Sequence, residues 1–114
     1  MDKGWIFFLV FFLTILTIRF FVFLFPAKKM IISGTLIHHF WIGLALVLIA
    51  LLIRGFEFNW ILFSVGLAFV ADELVYMLLG AGPFSNYWNI YSLAGVILNS
   101  AIVFILRNRI IEKI

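Results

Sequence analysis

Cysteine is absent from this 114-residue chain. That excludes a disulfide framework, a thiolate metal site and a catalytic cysteine. Charge is scarce as well: 11% of residues are charged, against about 25% in an ordinary soluble domain. The sequence has no HExxH or ExxH pattern, no nucleotide-binding loop and no nucleophile–base pair, so the common hydrolase and nucleotide-binding motifs are missing. Internal repeats and low-complexity tails are missing too.

What fills the chain instead is apolar. Hydrophobic residues make up 67% of it, and the mean hydropathy is +1.28. This composition predicts one domain, residues 1–114, of the all-α class: a polytopic membrane protein with four transmembrane helices in an up-down-up-down bundle. The net charge of +3 does not point to nucleic acid, because most basic residues stand at the ends of apolar runs, where they report topology. The expected partner is the lipid bilayer.

The first predicted helix covers about residues 5–25. Its 21 residues, Trp5–Phe25, reach about 31 Å, enough for the hydrocarbon core. The run exceeds the core of a signal peptide and no small-residue cleavage site follows, so it reads as a retained helix. Pro26 stops it, and Lys28 and Lys29 mark the headgroup level. The second helix is expected over about 36–53, the third over about 60–79 and the fourth over about 90–106. In the second, His39, Gly43, Leu46 and Ala50 recur at helical spacing and offer a small-residue face for close packing. The third carries two such faces: Gly66, Glu73 and Gly80 on one, Ser64, Ala68 and Ala71 on the other. A helix with two packing faces belongs at the centre.

Four crossings put both termini and the turn after the second helix on one side. That side holds Lys3, Arg54, Arg107, Arg109 and Lys113, against Lys28 and Lys29 on the other. The excess predicts a cell-membrane protein with both termini in the cytoplasm.

Within this apolar frame, Asp72 and Glu73 are anomalous. A carboxylate at the middle of a membrane helix costs about 3 kcal/mol even on lenient insertion scales. Two in succession need partners, protons or water. Counting from the turn near Gly55–Phe58 supplies the partners. His38 and His39 lie 18 and 17 residues before Phe56; Asp72 and Glu73 lie 14 and 15 after Phe58. In an antiparallel pair the two sets differ by only about 3–6 Å in depth. Arg19 on the first helix falls at a similar level, Ser92 and Asn99 on the fourth bracket it, and Tyr76 is one turn beyond Asp72. The predicted polar cluster is therefore Arg19, His38, His39, Asp72, Glu73, Tyr76 and Asn99, under the outer face. Neighbouring residues differ by about 100° around a helix, so Asp72 and Glu73 can both face inward only if their helix is central.

Four chemistries remain open for this cluster. It can be a structural lock in which Arg19 pairs with a carboxylate and a histidine bridges to the other. It can be a divalent metal site for zinc, iron or manganese, with His38, His39, Asp72 and Glu73 as the N/O donor set and enzymatic chemistry as one outcome. Adjacent histidines on a helix diverge, however, which makes a shared ion difficult. It can couple to protons or ions, or it can recognise a lipid headgroup with Arg19, Lys28 and Lys29. Four short helices enclose little space, so a conducting pathway would call for a homo-oligomer.

The residues His38-His39-Phe40-Trp41-Ile42-Gly43, Ala71-Asp72-Glu73-Leu74 and Tyr87-Trp88 resemble a loose group of small archaeal and bacterial four-helix membrane proteins. That group carries HHF(H/W)xG, a later intramembrane D(D/E) in a glycine-rich helix, and a YWS-like loop. The resemblance runs from the second helix to the start of the fourth and implies that the His and acid positions act together. Trp41 stands where the group often has a third histidine, which weakens a three-histidine metal set. The length is also similar to small multidrug resistance transporters and fluoride channels. The first would need an acid in the first helix, and the second's asparagine and phenylalanine motifs are not recognisable here.

Overall fold

A computed structural model describes residues 2–24, 31–32, 35–36, 39–78 and 88–114. Pro26, Lys28, Lys29, His38 and the loop from Gly80 to Tyr87 lie outside the described residues. Four helices form the fold: α1 (Lys3–Leu24), α2 (His39–Leu52), α3 (Asn59–Leu78) and α4 (Ile90–Lys113). A two-residue antiparallel ladder between β1 (Ile31–Ile32) and β2 (Thr35–Leu36) is the one departure from helix among the described elements.

Helices α1, α3 and α4 are long and apolar enough to cross a membrane. At 1.5 Å per residue, their 22, 20 and 24 residues give about 33, 30 and 36 Å. Helix α2 is shorter: its 14 residues give about 21 Å. The expected start near residue 36 is displaced to His39 because Leu36 is paired with Ile31 in the ladder. Isoleucine and threonine, β-branched residues, occupy three of the four ladder positions, and such residues suit extended pairing. At the other end of the chain, α4 runs beyond residue 106 to Lys113. Arg107 can stay in the helix because its guanidinium is covered: Cζ lies 4.6 Å from the Trp5 ring and 4.3 Å from the Phe104 ring, and Nη1 donates to the Phe104 carbonyl at 2.6 Å.

The central position expected for the third helix is found. Among the described residues, helix α3 touches the other three, α1 also touches α4, and α2 packs on α3 alone. The apolar core accordingly lies among α1, α3 and α4, built from Phe7, Phe11, Ile15, Trp60, Ala68, Ala71 and Val103. Ser64 faces α1 and donates to the Phe7 carbonyl at 2.7 Å. The opposite face of α3 receives α2 through a glycine seam. A Cβ added at Gly43 would meet the Gly66 carbonyl oxygen and Phe69 Cβ, each at 2.6 Å; one added at Gly66 would meet the Gly43 oxygen at 2.9 Å. Close backbone approach of this kind requires glycine on both sides. The hairpin closes at its base where Asn59 Nδ2 donates to the Ala50 carbonyl at 3.4 Å, one of the last-turn carbonyls that lack a partner within their own helix.

The distribution of side chains is inverted relative to a water-soluble domain. Leu13, Phe20 and Phe23 of α1, Leu48 and Leu52 of α2, and Ile97 and Ile105 of α4 are exposed, whereas Arg19, Ser64, Asp72, Glu73 and Ser92 are buried.

The glycine seam makes a direct prediction. Gly43→Ala should destabilise the protein by about 1–3 kcal/mol, the usual cost of overpacking, read as a lower melting temperature in detergent. Gly55→Ala is the control, since a Cβ there has nothing within 4 Å, and it should leave the melting temperature unchanged.

Candidate functional site

Asp72 is where the helices meet. It is 1% exposed on the inward face of α3, and each of its carboxylate oxygens has a partner on a different helix. Arg19 of α1 donates from Nε to Oδ1 at 2.7 Å. His39, the first residue of α2, places Nε2 2.7 Å from Oδ2. Arg19 also donates from Nη2 to the Asp72 main-chain oxygen at 3.1 Å and to Ser92 Oγ of α4 at 3.3 Å. One guanidinium thus holds both the side chain and the backbone of Asp72, using the planar fork that distinguishes arginine from lysine.

The position of Ser92 is itself fixed by helix capping. Asn89 precedes α4 with extended backbone, and its side-chain oxygen accepts from the Ser92 N–H at 2.8 Å. That bond satisfies one orphan donor of the first turn and leaves the Ser92 hydroxyl turned to Arg19. On the other side, the guanidinium lies over the Trp88 ring, 5.1 Å from its centroid, a cation–π contact.

Glu73, 3% exposed, turns toward α2. Its Oε1 accepts the Phe40 N–H at 2.8 Å and lies 3.1 Å from His39 Nδ1. The first N–H groups of any helix have no partner within that helix, and the start of a helix carries a partial positive charge. Glu73 answers both from a neighbouring helix. This explains how α2 can begin at the depth of the cluster: its first turn is capped in trans by a carboxylate.

The predicted constellation can now be sorted. Arg19, His39, Asp72 and Glu73 are brought together by direct contacts. Tyr76 is buried one turn beyond Asp72 on α3. Asn99 is near the cluster but bonds the backbone, donating from Nδ2 to the Ala71 carbonyl at 3.3 Å. His38 lies outside the described residues. Among the described residues, no group of three or more His, Asp or Glu side chains is arranged to hold a metal ion. Both ring nitrogens of His39 face carboxylates, and an arginine occupies one side of Asp72, so these donors are directed at one another. Three participants were not in the predicted set: the Phe40 main-chain N–H, Trp88, which the resemblance had named without a role, and Ser92, which had been placed at the right depth without a role.

Comparison with protein-family models, with curated proteins and with solved structures finds no match.

Removing Arg19 should be the most damaging single change in the cluster. Arg19→Met leaves Asp72 buried without its guanidinium, and breaking a buried ion pair this way costs about 3–5 kcal/mol. Arg19→Lys should recover only part of the loss, because one ammonium cannot reproduce the contacts to Oδ1, the backbone oxygen and Ser92. Thermal or denaturant unfolding in a fixed detergent distinguishes the two.

Proposed function

We propose that this is an integral membrane protein in which the Arg19–Asp72–His39–Glu73 cluster is a polar lock that sets the arrangement of the four helices. The observation that carries the proposal is the pairing of Asp72, with Oδ1 bound to α1 and Oδ2 facing α2, while Arg19 extends the network to Ser92 on α4. A helix of leucines and phenylalanines has no preferred neighbour in lipid, since the lipid tails are equally apolar. A buried charge does have one. Leaving it unmatched in hydrocarbon is expensive, so each helix is held to the partner that satisfies it.

Membrane residence is supported by three helices of sufficient length and hydropathy and by the apolar exterior. The order of contacts supports an up-down-up-down path. Along α1 and α3 contacts advance together, from Phe7 with Ser64 to Arg19 with Asp72. Along α2 and α3 they run in opposite order, from His39 with Asp72 to Ala50 with Asn59. Along α4 and α1 they also oppose, with Trp5 beside Phe104 and Phe23 beside Trp88. In the cell membrane, the excess of Lys3, Arg54, Arg107, Arg109 and Lys113 over the opposite side puts both termini in the cytoplasm. Because α2 packs on α3 alone among the described residues, the lock also acts as its outer attachment point, with the glycine seam below it.

A lock differs from a working charge in what happens when its partners are removed together. The Arg19→Met/Asp72→Leu double variant should be more stable than Arg19→Met alone, because it leaves no unpaired buried guanidinium or carboxylate. A double variant less stable than Arg19→Met, measured by unfolding in detergent, would count against the lock.

A further inference from the structure

The cluster holds an unequal number of fixed charges. Arg19 is always cationic, Asp72 and Glu73 are both acids, and both are buried. The His39 ring lies between the acids, with Nε2 2.7 Å from Asp72 Oδ2 and Nδ1 3.1 Å from Glu73 Oε1. A neutral imidazole has one N–H and one lone pair. It can donate to one carboxylate, but its lone pair would then face the lone pairs of the other. The geometry is satisfied by one additional proton. Placed on the ring, it makes an imidazolium between two carboxylates. Placed on Glu73, it makes a carboxylic acid that donates to a neutral ring. These are two arrangements of one protonation state, and in both the cluster of Arg19, His39, Asp72 and Glu73 is electrically neutral.

We propose that the His39–Asp72–Glu73 triad is a proton-binding site, and that release of its one proton undocks the start of α2 from α3. The inference rests on the lock reading above and gives that lock a ligand and a means of regulation. Loss of the proton leaves a net negative charge on the group formed by Arg19, His39, Asp72 and Glu73, and it sets two acceptors against each other across the ring. The strain falls on His39 and Phe40, the first two residues of α2, which are held to α3 through these same carboxylates. Exchange passes through His39: its side chain is 21% exposed, whereas those of Asp72 and Glu73 are 0% and 4% exposed.

Other polar groups face the triad from the elements packed against it, among the described residues. From α1 the charged group is Arg19, which donates to Asp72. From α4 the neutral Ser92 hydroxyl accepts from Arg19. On α3 the Phe69 ring lies edge-on to His39 at 5.9 Å, and Tyr76 is buried one turn from Asp72.

The test counts the proton and follows the helix. In a His38→Asn background, which leaves His39 as the one histidine of two, ring 15N and Glu73 carboxyl 13C shifts are recorded across pH in detergent. The expected result is one proton beyond the neutral ring, shared between ring and carboxyl, lost in a single step as pH rises. The melting temperature should fall at that same step. Glu73→Gln should abolish both the step and the fall, because an amide nitrogen at the Oε1 position donates to Nδ1 without an added proton; that position then no longer accepts the Phe40 N–H, so the variant is less stable at every pH. A neutral ring beside an ionised Glu73 throughout the range would overturn the proposal, as would an unchanged step in Glu73→Gln. The proton count in the parent chain decides the matter even where Glu73→Gln does not fold. Arg19→Met separates the two ideas: its loss of stability tests the lock, whatever the proton count shows.

Discussion

In the proposed lock, the contact between the Arg19 guanidinium and the Asp72 carboxylate is the interaction on which the arrangement of helices depends. It joins the two helices that share most of the apolar core, α1 and α3, and contacts to the other two helices branch from its members. Ser92 reaches it through Arg19, and His39 through Asp72. In water such a pair would add little. In an apolar surround the cost of separating it is large, although the net gain over a well-packed apolar pair is small. Its contribution is therefore better described as specificity than as stability: it penalises other helix arrangements more than it favours this one.

Glu73 solves a different problem. Helix α2, with 14 residues, begins beside the buried carboxylates of α3, so in the proposed membrane its first turn lies away from water. Unsatisfied N–H groups there would cost several kcal/mol each. A carboxylate from α3 accepts the Phe40 N–H and opposes the positive end of the helix. The glycine seam at Gly43 and Gly66 brings the two backbones close enough for that reach. The seam and the cap are mutually dependent, since a bulkier residue at either glycine would move α2 outward and lengthen the Glu73 contact. Placing Asp72 and Glu73 side by side then has a geometric reason. About 100° separates them around α3, so Asp72 turns to α1 and α2 while Glu73 turns to the start of α2.

Much of this was readable from the sequence because the fixed rise along long apolar helices makes depth countable. The four-helix composition, the central position of α3 and the meeting of Arg19, His39, Asp72 and Glu73 all follow from charge rarity, small-residue faces and rise per residue. What escaped the count had physical causes. The Phe40 N–H is a main-chain donor and carries no residue-type signal. The start of α2 depended on a local contest between helix and ladder around Leu36, which hydropathy does not resolve. Trp88 was given no role because sequence cannot tell a ring facing headgroups from one covering an arginine. The peripheral place of α2 was also hidden: both faces of α3 were visible, but which helix filled which face was not.

The central claim is that Arg19 is held at the cluster by Asp72 instead of extending to the lipid headgroups, as a long cationic side chain near a helix end otherwise does. Solid-state NMR on the protein in lipid bilayers tests it directly, by recoupling Arg19 Nε with the Asp72 carboxyl carbon. The account predicts a strong short-range coupling, with the guanidinium protons protected from exchange with water. An Arg19 side chain with no coupling to Asp72 and rapid water exchange would contradict it.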